Sequence, residues 1–160
     1  MRRSLLLILG IFAISLSLLA MGKREVSRTA KPLSVEQGIA GKVEVWEGNF
    51  MPMVGGPPSG KKTPAASRRV RVHEPFNSME AGGAIAIRDT IPTALVAETR
   101  TDSTGGFFIP LEVGTYSIFV EEEEGWYSNS WNGQGFQGII TIDSSKITKM
   151  DIRITTKAVF

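Results

Sequence analysis

The sequence predicts an all-β fold, a single antiparallel β-sandwich of about seven strands following an N-terminal signal segment. Three observations carry that prediction. Short runs alternate apolar and polar residues, as half-buried strands do. Gly/Pro/Asn/Asp-rich turn signals separate the runs every eight to twelve residues or so, the spacing of a sandwich. Beyond the N-terminus, no window of eleven or more residues carries apolar side chains at helical spacing.

The chain of 160 residues opens with Met1-Arg2-Arg3, then runs almost wholly apolar from Ser4 to Ala20. A basic start, an apolar centre and small residues at Ala20 and Gly22 fit a secretory signal over 1–22, cut after Gly22. A retained membrane anchor is the alternative, because the run is near the lower length limit for spanning. With no cysteine in the chain, a lipid cannot be attached to one, and no disulfide can staple the domain. The fold must therefore be held by a hydrophobic core.

Charge excludes one function class. Lys+Arg number 18 against 16 Asp+Glu, and Arg2 and Arg3 supply the surplus of two, so the balance from Lys23 onward is 16 against 16. A nucleic-acid binder needs a basic footprint, and the exported portion has none overall.

Residues 23–37 show no pattern and read as a linker; the domain proper is placed at 38–157. In GIAGKVEVW, Ile39, Val43 and Val45 share one face, with Lys42, Glu44 and Trp46 on the other. Residues 47–67, rich in glycine and with four prolines, read as a long loop without a ladder, either functional or disordered. Over Arg68 to His73, Val70 and Val72 face in, and Arg69, Arg71 and His73 face out. Residues 74–83 break the pattern, 84–87 read as a short strand or one helical turn, and 95–101 as a strand. Phe107 to Leu111 and Thr115 to Glu121 are the clearest strands, burying Phe107, Ile109 and Leu111, then Tyr116, Ile118 and Val120. Residues 138–143 and 147–155 close the domain, with Met150, Ile152 and Ile154 on one face.

The stretch TDSTGGFFIPLEVGTYSIFVEE, from Thr101, resembles the carboxypeptidase regulatory-like domain, a transthyretin-like sandwich. The resemblance rests on Asp102, Gly105 or Gly106, Phe107, Gly114 and Tyr116. The opening GIAGKVEVWEGN and the closing ITIDSSKITKMDIRI resemble that family's first strand and last hairpin. The resemblance implies a non-catalytic accessory or interaction module on exported proteins, in the periplasm, outer envelope or extracellular space, with no cofactor. The expected partner is another envelope protein or a polysaccharide, with membrane contact only through a retained N-terminal segment.

In residue terms, Gly105-Gly106 supplies a turn, and Tyr116 offers a hydroxyl to tie a corner. GQGFQG, Gly133 to Gly138, matches a dinucleotide pattern by letters but leads into a strand, and reads as a hairpin loop. The one histidine, His73, with no cysteine beside it, reads as a solvated surface residue rather than a metal ligand or catalytic base. Glu121 to Glu124 reads as a solvated, edge-protecting run, since neighbours on a strand diverge. Lys61, Lys62, Arg68, Arg69 and Arg71 read as solubilising a loop, with contact to anionic lipid or polysaccharide as the alternative.

The most site-like segment is GWYSNSWNGQG. Trp126, Tyr127, Asn129, Trp131 and Asn132, with Trp46 at a neighbouring strand end, place flat apolar faces beside amides, as sugar recognition requires. Packing at the core and rim is the competing role for the same residues.

Overall fold

A computed structural model describes residues 37–52, 55–57 and 59–160. The expected signal segment and all of the 23–37 linker but Gln37 lie outside the described residues.

Among those residues there are eleven strands and no helix, arranged as two sheets around one main core. The all-β expectation holds, while the count of about seven strands falls short. The first sheet is organised by β1, Gly38–Asn49, whose twelve residues are longer than any one neighbour. Its first half pairs antiparallel with β6 (Gly106–Pro110) on one side and parallel with β10 (Ile147–Lys149) on the other. Its second half pairs antiparallel with β2 (Lys61–Pro64) and parallel with β11 (Ile152–Val159).

Three expectations change here. The sheet is mixed rather than antiparallel, because the chain returns alongside β1 in the same direction. The closing segment is not a hairpin, since it lines β1 while the strand before it belongs to the other sheet. Residues 47–67 do make a ladder: Lys61–Pro64 pairs with Glu44–Glu47, and Pro64, which lacks an N–H, is tolerated at the end of this short strand.

The break between β10 and β11 explains a glycine. At the junction Met150 N–H donates to Ala40 O at 3.0 Å and Asp151 Oδ1 accepts from Lys42 N–H at 2.9 Å, so a side chain replaces one rung of the ladder. The Met150 carbonyl then presses so close to Gly41 that any Cβ there would overlap it. The sequence therefore needs glycine at this position for close approach.

The second sheet is built on β7, Gly114–Glu122. One edge of β7 carries β9 (Ile139–Ile142) and then β8 (Gly125–Tyr127), and the other carries β3 (Arg69–His73). Outside these lie β4 (Ile87–Arg88) on β8 and β5 (Leu95–Arg100) on β3, so 84–87 resolves as a two-residue strand beginning at Ile87. Between the sheets lie Ile39, Val43, Val70, Val72, Phe107, Ile109, Leu111, Ile118, Val120, Tyr127, Ile140, Ile142, Ile152 and Ile154. Fully burying one such aliphatic contributes about 1.5–3 kcal/mol, which makes this layer the main source of stability.

A second, smaller core was not legible in the alternation. Phe119 points away from the main core yet is fully buried, because residues 74–94 fold over the outer face of the second sheet and set Phe76 and the partly buried Ala81 and Ile91 against it, beside Trp126 of β8. Phe76 N–H donates to the buried Ser117 Oγ at 3.0 Å, and Gln137 N–H donates to Phe76 O at 3.0 Å, fixing the cover.

Candidate functional site

The expected aromatic and amide residues do not form one face. Tyr127 points inward at 1% exposure, and its hydroxyl crosses to the first sheet. There it donates to Arg153 O at 2.9 Å and accepts from Thr155 N–H at 3.1 Å, with Thr155 Oγ1 at 3.0 Å. Thr155 lies where the register of β11 on β1 shifts between Val45 and Glu47. The bulge takes its N–H out of the ladder, and the phenol supplies the missing partner. Trp126 faces the opposite way, buried in the smaller core with the Arg71 guanidinium 4.0 Å and that of Arg69 5.2 Å from its ring centre.

Asn129 is exposed and its amide donates to Thr155 Oγ1 at 3.2 Å. Asn132 Oδ1 accepts from the N–H groups of Gln134 and Phe136, both at 3.0 Å. Trp131, 37% exposed, is the one large aromatic of this segment with an open face.

Asn132–Phe136 and Asp102–Gly106 fold alike. In each, the first residue's Oδ1 accepts from the N–H groups two and four residues on, its N–H donates to the carbonyl four on, and its carbonyl accepts from the glycine three on. That glycine, Gly105 or Gly135, has φ of +77° or +85°. Both loops are side-chain-locked turns. The Asp102 carboxylate, held below its usual pKa chiefly by the Thr104 hydroxyl and then by the Gly106 and Thr104 N–H groups, is occupied inside its own loop. Gly106 leaves room for it, since a Cβ there would meet Asp102 Oδ2 at 2.9 Å. The Gly114–Tyr116 corner has an equally local reason: Tyr116 Oη donates to Glu112 O at 3.2 Å, and a Cβ on Gly114 would sit 2.9 Å from that hydroxyl.

The charged candidates are also committed to the fold. His73 is 5% exposed, not solvated, because the 74–94 cover lies over it. Its Nδ1 bonds with Thr93 O at 2.8 Å, Phe119 meets it edge-on, and its Nε2 is buried without a partner. Burial, followed by the nearby Arg71 charge, pushes its pKa down against the raising effect of the Thr93 carbonyl. The first two glutamates of the run and the arginines of the basic cluster turn out to sit in ion pairs. Arg69 contacts Glu121 at 2.6 Å, Arg68 reaches Glu122 at 3.2 Å, and Arg71 contacts Glu98 at 2.6 Å. Opposite charges face each other across neighbouring strands, so these arginines with Glu121 and Glu122 are not merely solvated, whereas Glu123 and Glu124 at the β7–β8 turn and Lys61 and Lys62 on β2 are exposed.

A buried polar hub escaped the sequence reading. Gln137, fully buried, donates through Nε2 to Ile85 O at 2.8 Å and Ser128 O at 2.6 Å, and accepts from Arg88 Nε at 3.0 Å. Arg88 also donates to the carbonyls of Ala81 and Gly83, fastening the cover. An isolated glutamine in a glycine-rich loop offers no signal of this in sequence.

The most outward-directed chemistry lies elsewhere, around Trp46. It joins not Trp131 but Phe50, 4.9 Å away between ring centres, and Phe160, 6.2 Å away; Phe50 and Phe160 stack at 5.6 Å. Lys62 Nζ, directly across the ladder, lies 3.9 Å from the Trp46 ring centre, and the Arg153 guanidinium 4.9 Å. Trp46 Nε1 donates to Glu44 Oε2 at 3.1 Å. Trp46 and Phe50 are half-buried, Phe160 is 64% exposed, and the chain neighbours Met51 and Val159 are 44% and 55% exposed. The sequence signal for this site was the outward position of Trp46; the contribution of Phe50 and Phe160 required the parallel β1–β11 pairing.

Compared with protein-family models, with curated proteins and with solved structures, the chain matches none.

Proposed function

We propose that this protein is a non-catalytic, exported interaction module, a β-sandwich of the carboxypeptidase regulatory-like type that presents the Trp46–Phe50–Phe160 patch to a partner in the cell envelope or outside it. The observation that carries the reading is a contrast in where side chains are directed. His73, Asp102, Asn132, Glu121 and Gln137 are engaged inside the fold, whereas three aromatic rings and two cations gather on the outer face of the first sheet. Export is supported by the signal-like residues 1–22, and the family type by Gly38, Gly41, Asp102, Gly105, Gly114 and Tyr116, each of which meets a specific backbone need.

The test places a photo-crosslinking residue at Phe160 in cells, with exposed Glu112 at the opposite end of the domain as control. Adducts to an envelope component from position 160 and not 112 are expected. Equal or absent labelling at the two positions overturns the reading. Sugar recognition retains one specific support, the open face of Trp131. A glycan titration that leaves indole emission of the parent and of Trp131→Phe equally unchanged removes it.

A further inference from the structure

We propose that the partner of this patch is an anionic lipid surface, an inference that rests on the interaction-module reading and names its occupant. Two kinds of group meet here. Phe160 projects apolar surface from its stack with the half-buried Trp46 and Phe50 rings, and the chain neighbours Met51 and Val159 are also exposed. Aromatic and long apolar side chains of this kind settle at the headgroup–acyl boundary.

The second kind is charge. Lys62 and Arg153 lie against Trp46. Directly opposed residues share a face, so Lys62 across from Trp46 and Arg153 across from Glu44 stand on the patch, whereas the next row, Lys61, Glu47 and Lys157, faces the other side of the sheet. With Glu44 engaged by the Trp46 indole, the tally around the rings on this face is two cations (Lys62, Arg153) against one carboxylate. The chain from Lys23 onward is neutral, so this surplus is a local feature of the patch. Cations standing beside exposed apolar surface complement phosphate headgroups over acyl chains.

Other occupants fit less well. A stable protein interface needs roughly 20–30 residues a side, far more than this tip offers. A neutral sugar needs an open ring face, and the Trp46 ring carries two cations. A long polyanion such as nucleic acid would also meet the carboxylates that balance the rest of the domain, whereas a lipid surface touches the tip alone.

The test uses the full chain carrying Trp131→Phe, which leaves Trp46 as the half-buried indole and Trp126 as the buried one. Because residues 4–20 are themselves apolar, mere vesicle association is not diagnostic, so the readout is quenching of Trp46 emission by brominated lipid. Vesicles with roughly a third anionic phosphatidylglycerol should quench, phosphatidylcholine vesicles should quench several-fold less, and Trp46→Phe should remove the effect. Each cation removed should raise the lipid needed for half-quenching about fivefold, so Lys62→Gln with Arg153→Gln should raise it about 25-fold. Salt near 1 M, where the Debye length is about 3 Å, should act in the same direction. Phe160→Ser, at an exposed site that cannot unfold the domain, should weaken quenching independently. Equal quenching on both vesicle types, quenching that survives Trp46→Phe, or indifference to the charge variants overturns the proposal. Crosslinks from Phe160 to protein without lipid quenching would sink this inference and leave the module reading standing. Absence of both would sink the two together.

Discussion

Replacing Tyr127 with Phe removes one oxygen from a buried position and tests how the two sheets are joined. The hydroxyl has three partners, Arg153 O at 2.9 Å, Thr155 Oγ1 at 3.0 Å and Thr155 N at 3.1 Å, all on a strand of the opposite sheet. Without it, the bulge N–H and the Arg153 carbonyl lose their protein partner in surroundings where the ring is 1% exposed. An orphaned buried group costs about 1–3 kcal/mol, and since Thr155 itself is only half-buried, about 2 kcal/mol is expected. The melting temperature should fall by roughly 6–12 °C for a domain of this size. Urea unfolding at unchanged m-value is the assay, because a changed slope would report a different unfolded state rather than a lost bond. A Thr155→Val partner in a double-mutant cycle should return a coupling of about 0.5–3 kcal/mol. Stability of Tyr127→Phe within about 0.5 kcal/mol of the parent, with no coupling to Thr155, would show that water reaches these groups and that the phenol does not pin the sheets.

Three further outcomes follow from the same geometry. The buried His73 has its pKa lowered, so the unfolded chain binds a proton that the folded one refuses. Stability should therefore decline as pH falls below about 6.5 and level off under the folded value, and His73→Asn should flatten that slope in urea midpoints measured against pH. Glu121, held at about 2 mainly by Arg69, contributes stability above its ordinary range that is lost as pH falls from about 4.5 toward 2. With both side chains about a third exposed, the Arg69–Glu121 cycle should give under about 1 kcal/mol, and a larger coupling would contradict this. Gly105→Ala, at φ +77° and with a Cβ driven into the Val43 carbonyl, should cost more than about 1 kcal/mol, while Gly133→Ala, where a Cβ meets nothing within 4 Å, should leave thermal unfolding unchanged.

The sequence made the main core legible because alternation is a direct image of a half-buried strand, as with Ile39 and Val43, Phe107 and Ile109, or Ile118 and Val120. The same logic failed on the second sheet, where alternation assigns Phe119 and His73 to solvent and leaves the side of Trp126 open. A strand records which side each residue takes, but not whether a distant segment will cover that side. Pairing direction was also hidden, because β10 and β11 would show the same pattern beside β1 in either orientation. The candidate site was half legible. Trp46 was marked as outward, but its companions Phe50 and Phe160 lie more than a hundred residues apart and meet only through the last strand.

That last strand also sets when the domain can exist. Val43 pairs with Ile152 and Asn49 with Val159, so the opening strand of the domain lacks one of its two flanks until nearly all of the sequence is present. Contacts this remote in sequence are slow to close and reward the chain only late. A nascent chain ending before residue 152 leaves half of β1 with a bare edge, and it should remain protease-sensitive and open until the eight-residue β11 arrives to close the first sheet.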